Sequence, residues 1–246
     1  MNRCTRVFQQ LALSPGISLR LDDQASHHLS RVLRVKTGDS LVIFNGEGGE
    51  YDAVITQIDK KSIEVKIGKF NPREAESPLR IHLAQALARG EKMDFIVQKA
   101  VELGVNTITP LLTSRCNVRL DQERGEKRLS HWQSVMVGAC EQSGRNRLPL
   151  LERPVDLKAW LPQVKGDYRL VLSPHADKKW PLESIAPEAS IILLIGPEGG
   201  LSDEEVALSI KNGFILMNLG KRVLRTETAS LAALAALQAR FGDFFN

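Results

Sequence analysis

The chain has 246 residues, 43% of them hydrophobic and 25% charged, a globular composition that excludes fibrous and wholly disordered classes and suits two domains better than one. Its 33 basic and 29 acidic residues leave a net charge of +4, which permits an anionic partner such as nucleic acid without requiring one. Three scattered cysteines, Cys4, Cys116 and Cys140, make neither a disulfide framework nor a zinc site, so no metal is expected.

The N-terminal stretch lacks the continuous apolar core of a signal peptide. The longest apolar runs, Ile191–Ile195 and Leu231–Leu237, fall far short of the roughly 20 residues that span a bilayer. A soluble, cytoplasmic protein with no membrane partner is expected. Residues 22–34 predict one helix, capped by Asp22 or Asp23, with Leu29, Val32 and Leu33 on its buried side. Spacing three would set Arg31 and Arg34 on one helical face, either a solvated surface or a grip on phosphate. Strands follow at Ser40–Phe44, Tyr51–Ile58 and Ser62–Ile67, with tight turns at Asn45–Glu50 and Asp59–Lys61. Short strands and tight turns in so small a segment suggest a closed β-barrel.

Asn71–Pro78 reads NPREAESP, two prolines among polar residues, and marks an exposed connector. It divides the chain into domains at 1–72 and 73–246. The first carries 10 Lys/Arg and 8 Asp/Glu and the second 23 and 21, so neither is a basic tail. Beyond the connector, strands and helices alternate. Leu79–Leu87, Val105–Leu112 and the segments YRLVLSP, IILLI and FILMN read as strands. Met93–Gly104, 124–142, SDEEVALSIKNG and TASLAALAALQARF read as helices. IILLI is a continuous apolar run suited to a strand covered on both faces, and the alternation predicts an α/β domain with a largely parallel sheet.

Two segments at strand ends carry the chemical signal. In IILLIGPEGGLSDEE, a strand runs into Gly196–Gly200, Ser202 caps the next helix, and Glu205 completes a capping box. Glycines at the carboxyl end of a parallel strand let backbone approach a ligand. The loop is neither GxGxxG nor a P-loop, which disfavours dinucleotides and nucleoside triphosphates. The plain alternative is a turn that merely needs glycine. In LGKRVLRTETA (Leu219–Ala229), Val223 and Leu224 stand among cations and could wrap an adenine-like ring, with Thr226 or Thr228 capping the final helix. The plain alternative there is a helix cap with solvated charges. The Ala-rich final helix suits close packing, in the core or between subunits.

The pair GPEGGLS and LGKRVLRTETAS, one strand–helix unit apart, resembles the SPOUT class of S-adenosylmethionine-dependent RNA methyltransferases. ACEQSGRNRLP (Ala139–Pro149) and FIVQKAVELGVNTITPLLTSRC (Phe95–Cys116) are similar to the bacterial enzymes that methylate ring nitrogen 3 of a uridine in 16S ribosomal RNA. The resemblance spans nearly the whole chain. It implies a trefoil-knotted α/β methyltransferase domain behind a PUA-like barrel that binds RNA, and a homodimer acting on 16S rRNA in the assembled small ribosomal subunit. It places the methyl donor against Leu172–His175, against Gly196, Pro197, Gly199 and Gly200, and against Leu219, Gly220, Val223, Leu224, Thr226 and Glu227. Catalytic candidates are Glu198, Glu141 and Arg225, with Glu227 and Arg145 as further options; the base is not chosen by sequence. RNA-binding candidates are Arg31, Arg34, Arg89, Lys92, Arg145 and Arg147. His131, His175, Trp132, Trp160 and Trp180 read as structural. A ribose 2'-O methyltransferase of the same superfamily and a non-catalytic RNA-binding module are the competing readings, and the missing phosphate loop disfavours a nucleotide-dependent metabolic enzyme.

Overall fold

The structure, a computed structural model, describes residues 5–116, 122–174, 176, 184–186 and 188–245. Cys4, His175 and Trp180 lie outside them. The chain divides into two compact units, one of residues 1–76 with 140–148 and one of residues 77–139 with 149–246. The first break falls inside the expected connector; the return of 140–148 to the first unit is not foreshadowed by the sequence pattern.

In the first unit, β1 (Thr5–Phe8), β2 (Ser18–Arg20), β3 (Ser40–Phe44), β4 (Glu50–Ile58) and β5 (Ile63–Asn71) form one sheet in the order β1-β3-β4-β5-β2. β1 runs parallel to β3 and the other pairs are antiparallel. Period-2 alternation sends Ala53 and Ile55 of β4, and Ile63, Val65 and Ile67 of β5, into a common core with Leu41 and Ile43. Helix α1 (Asp23–His27) is capped by Asp22, whose carboxylate accepts from the Ala25 amide. The predicted helix does not continue in α form. Residues His28–Leu33 adopt a π-helix, closed by Arg34 in the left-handed region at φ 53°. The wider π turn rotates the expected buried stripe outward. Leu29 is buried, but Val32 is 62% and Leu33 44% exposed. For the same reason Arg31 and Arg34 do not share a helical face, although both stay exposed.

Residues 140–148 act as a strap within this unit. The Asn146 amide donates to the Arg73 carbonyl (2.6 Å), Arg73 donates to the Gly144 carbonyl (3.0 Å), and the Leu148 amide donates to the Gly46 carbonyl (3.2 Å). Arg145 pairs with Glu76 through Nη2 (2.5 Å) and Nε (3.0 Å).

In the second unit, β6 (Arg80–Ala86) leads through α2 (Lys92–Glu102) to β7 (Thr107–Leu112) and on to α3 (Gln122–Ser143). Short strands β8 (Leu150–Leu151) and β9 (Val155–Asp156) precede α4 (Leu157–Trp160) and β10 (Tyr168–Leu172). Then come β11 (Ser190–Ile195), α5 (Asp203–Lys211), β12 (Ile215–Met217) and α6 (Thr226–Phe241). The sheet order is β12-β10-β11-β6-β7-β8, with β9 pairing β7 and every pair parallel. Residues Ile191–Ile195 are all buried, as a strand covered on both faces requires. Gly104 ends α2 at φ +80°, and a Cβ there would stand 2.7 Å from Gln238 Nε2 of α6, so glycine both makes the turn and admits the neighbouring helix.

After β12, at the sheet edge, the chain turns inward. Thr226, the first residue of α6, bonds Gly196 at the end of β11 and Gln85 of β6. That inward return seats the start of α6 against the ends of β6 and β11. It also means that α6 is not capped as expected. Its N-cap is Arg225, with no side-chain cap bond, because the Thr226 hydroxyl is directed to the Gly196 carbonyl.

Candidate functional site

Three parallel strands of the second unit, β10, β11 and β12, end at one cavity of about 530 Å³. This is the place where open parallel sheets bind ligands. Leu172 and Ser173 come from the end of β10, Gly196–Gly200 from the end of β11, and Asn218 and Leu219 from the end of β12. Of the residues expected to hold the donor, Leu172, Gly196, Pro197, Gly199, Gly200, Leu219, Val223, Leu224 and Thr226 line this cavity together with Glu198. Gly220 and Glu227 neighbour it in sequence but do not line it.

Local chemistry explains the shape of each wall. Gly196 has no room for a side chain, since a Cβ would lie 2.9 Å from the Leu201 amide nitrogen. The Gly200 amide donates to the Pro197 carbonyl (2.8 Å), and Gly200 takes φ +68°, where a Cβ would meet nothing within 4 Å. Arg115, which also lines the cavity, braces the loop by donating to the carbonyls of Gly199 (3.1 Å) and Leu201 (3.2 Å). On the opposite wall, Asn218 Nδ2 donates to the carbonyls of Pro174 (3.1 Å) and Ala176 (3.3 Å), while its Oδ1 accepts from the Gly220 amide (2.7 Å). Neither Asn218 nor Arg115 stands out in the sequence. An Asn two residues before Gly at a strand end is a turn signal that could have found the first.

Val223 is 83% exposed and yet lines the cavity. An apolar side chain left open on a wall, beside backbone with space in front of it, suits a ligand carrying an aromatic ring and polar edges. S-adenosylmethionine fits that description. Among the described residues no group of three or more His, Cys, Asp or Glu is placed to hold a metal.

The charged residues at the rim are ordered. Glu198 Oε1 accepts from the Arg89 amide (3.0 Å) and from Lys92 Nζ (3.2 Å), and Lys92 also lies 3.7 Å from Glu227 Oε2. Burial pushes the Glu198 carboxyl up, but the Arg89 amide, its own amide and Lys92 outweigh it and hold the group below the ordinary glutamate range. Through these bonds Glu198 anchors the Arg89–Lys92 turn. Arg225 and Arg89 are exposed beside these groups in sequence.

Two expected site residues are elsewhere. Glu141 belongs to the strap of the first unit, where its carboxylate accepts from the Phe8 amide (3.0 Å) and burial raises its affinity for protons; it does not line the cavity. Arg145 is corrected on both counts proposed for it, catalysis and RNA contact. Its side chain is 4% exposed and paired with Glu76, so no phosphate can reach it. Arg147, 56% exposed and 3.6 Å from Glu74, stays available.

Glu205 carries the capping box foreseen at α5, with Oε2 accepting from the Ser202 amide (2.8 Å), and also accepts from the Ser114 amide (2.7 Å). Burial opposes its ionisation, and the two amides reverse that, leaving it below the usual range. A carboxyl depressed by folding stabilises the native state above its unfolded value and loses that contribution as pH falls through its folded one. Melting temperature should therefore drop as pH falls below about 4.3, the ordinary glutamate value, and Glu205→Gln should flatten part of that drop. Glu205→Ala should cost about 1–2 kcal/mol at neutral pH in denaturant unfolding; an unchanged midpoint would contradict it.

The parallel α/β domain with its cavity at the strand ends is of the SPOUT type of RNA methyltransferase. Residues 75–238 match the family model described as the RNA methyltransferase domain, and residues 21–68 that of the RNA methyltransferase PUA domain. Within that class the chain belongs to the ribosomal RNA small subunit methyltransferase E family. It is 38% identical to the Buchnera aphidicola (Schizaphis graminum) member over 98% of both chains, and 27% identical to that of Bacillus subtilis over 93% of this chain and 92% of the other. The Neisseria gonorrhoeae member, solved bound to S-adenosylmethionine, superimposes with a TM-score of 0.91 at 37% identity, covering 98% of this chain and 100% of that one. A Legionella pneumophila protein, solved with bound S-adenosylmethionine, does so with a TM-score of 0.95 at 44% identity and the same coverage.

Proposed function

We propose that the protein transfers methyl from S-adenosylmethionine to ring nitrogen 3 of a uridine in 16S rRNA, acting in the cytoplasm as a homodimer on assembled small ribosomal subunits. The observation that carries the reading is the cavity at the ends of β10, β11 and β12, with its open glycine backbone and exposed Val223. Family membership supports the substrate. The absence of a helix long and apolar enough to cross a membrane among the described residues is in keeping with it. The half-buried alanines of α6 and the exposed Phe95, Phe244 and Phe245 support the dimer; sedimentation of a fully active monomer at micromolar concentration would refute it.

When bound, S-adenosylmethionine supplies an electrophilic methyl on a sulfonium, so the chain's own task is position and charge. The imide nitrogen must give up its proton to solvent before it can attack the methyl, the donor's sulfur departing as a neutral thioether, and cations near the flanking carbonyl oxygens stabilise the imide anion. We assign that role to Arg225 and Lys92. Glu198 fixes Lys92 in place, and Leu172, Pro197, Gly199 and Leu224 shape the donor's pocket. Small subunits from cells lacking the protein, incubated with it and S-adenosylmethionine, should yield 3-methyluridine on nucleoside analysis. A 2'-O-methyl nucleoside would establish the ribose reading instead, and no product the non-catalytic one.

RNA is held electrostatically through Arg31, Arg34, Arg89, Lys92 and Arg147. Replacing Arg31 and Arg34 together by alanine should weaken substrate binding and lower the log–log salt slope by about 0.7–0.9 for each phosphate left unneutralised. Donor affinity should not change. An unaltered slope would make both arginines a solvated surface.

A further inference from the structure

Gln85 is fully buried in β6, among apolar neighbours on the strand. A buried amide is costly unless each of its polar atoms is matched, and here each is. Nε2 donates to the Ala86 carbonyl (2.9 Å) and to Thr226 Oγ1 (3.0 Å). Oε1 accepts from Ser230 Oγ (2.5 Å), whose single proton is shared with the Thr226 carbonyl (2.9 Å). Thr226 Oγ1 in turn donates to the Gly196 carbonyl (2.7 Å).

The two ends of this chain of bonds are the two walls of the cavity. Gly196 opens the loop that forms one wall, and Thr226 closes the segment that forms the other. Among the described residues, the direct side-chain tie between the two walls is the Thr226 hydroxyl on the Gly196 carbonyl. Arg225 makes no side-chain cap, so the start of α6 takes its place from Gln85 and Ser230. Gly196 cannot be braced by a side chain of its own, since a Cβ would collide with the Leu201 backbone. Removing the amide leaves the Thr226 hydroxyl free to rotate away and the Gly196 carbonyl without a fixed donor.

We propose that Gln85, which is buried and does not line the cavity, is a positioning residue that sets the spacing between the two walls of the methyl-donor site through Thr226 and the Gly196 carbonyl. The inference rests on the donor-binding reading given above. It goes beyond that reading by placing control of donor affinity in a residue beneath the pocket.

The test is calorimetric titration of the full chain with S-adenosylmethionine, alongside the melting temperature of the ligand-free protein. Gln85→Met keeps the side-chain length and removes every hydrogen bond; it should raise the dissociation constant about tenfold, the scale of one hydrogen bond removed from a buried chain. Gln85→Met combined with Thr226→Val should be no worse than the poorer single variant, because both act through one carbonyl. A lower melting temperature with unmoved affinity would make Gln85 merely structural, and multiplicative losses in the double variant would place it outside this chain; either overturns the inference. Should Gln85→Met fail to fold, Ser230→Ala decides, with weakened affinity supporting the inference and unchanged affinity overturning it. Failure of the unmodified protein to bind would overturn the donor reading itself, whereas binding that the variants leave untouched overturns this inference alone.

Discussion

Gly196→Val should raise the dissociation constant for S-adenosylmethionine about 10–100-fold while the protein stays folded. A Cβ at this position would lie 2.9 Å from the Leu201 amide nitrogen and 3.2 Å from both the Gly200 carbonyl carbon and Leu201 Cγ. Backbone atoms stand in the way, so the turn must open, and overpacking of this kind costs about 1–3 kcal/mol. The strain falls on the loop that lines the cavity, not on the buried strand before it. Gly199 makes the contrast, since a Cβ there would meet Arg115 Cβ at an ordinary 3.4 Å. Gly199→Ala should therefore weaken binding much less. Equal losses at both positions, measured by calorimetry, would refute this account of the loop.

Arg145→Met should destabilise the first unit by about 3–5 kcal/mol, the cost of breaking a buried pair from one side. The change leaves the Glu76 carboxylate, 15% exposed, without its guanidinium. Arg145→Met with Glu76→Leu should recover much of the loss, because two apolar side chains can replace a buried ion pair. Denaturant unfolding followed by circular dichroism would show it, and a double variant as unstable as the single would refute it. A chain begun at Leu79 would lose Arg73 and Glu76, and with them the bonds these make to Asn146 and Arg145 of the strap.

Much of this arrangement is legible in the residues. β3 starts and ends where the run SLVIF does, and the capping box at Ser202 and Glu205 is a local pattern with a local cause. Both glycine-bearing loops reach the same cavity because parallel strands carry their successors to one end of the sheet. What the sequence hides depends on partners far along the chain. Thr5–Phe8 is too short to show a period and becomes a strand only beside β3. Arg145 reads as one more surface cation until Glu76 is placed against it. The π-helix at His28–Leu33 leaves no mark in a pattern judged by α periodicity. Gln85 looks like an interruption in an apolar strand, and its use is visible only once α6 has returned beneath β11.

The strap of residues 140–148 also bears on how the protein is made. Ribosomes add residues at about 5–20 per second and domains fold as their sequence emerges. The first unit cannot finish in that way. Arg73 and Glu76 are synthesised early, yet Gly144 and Arg145, their partners, follow only after β6, α2, β7 and most of α3. Joining groups so far apart in sequence slows folding, since the loop between them must be ordered first. The bonds from Arg73 and Glu76 to Gly144 and Arg145 therefore close only after the first strands of the second unit have been made.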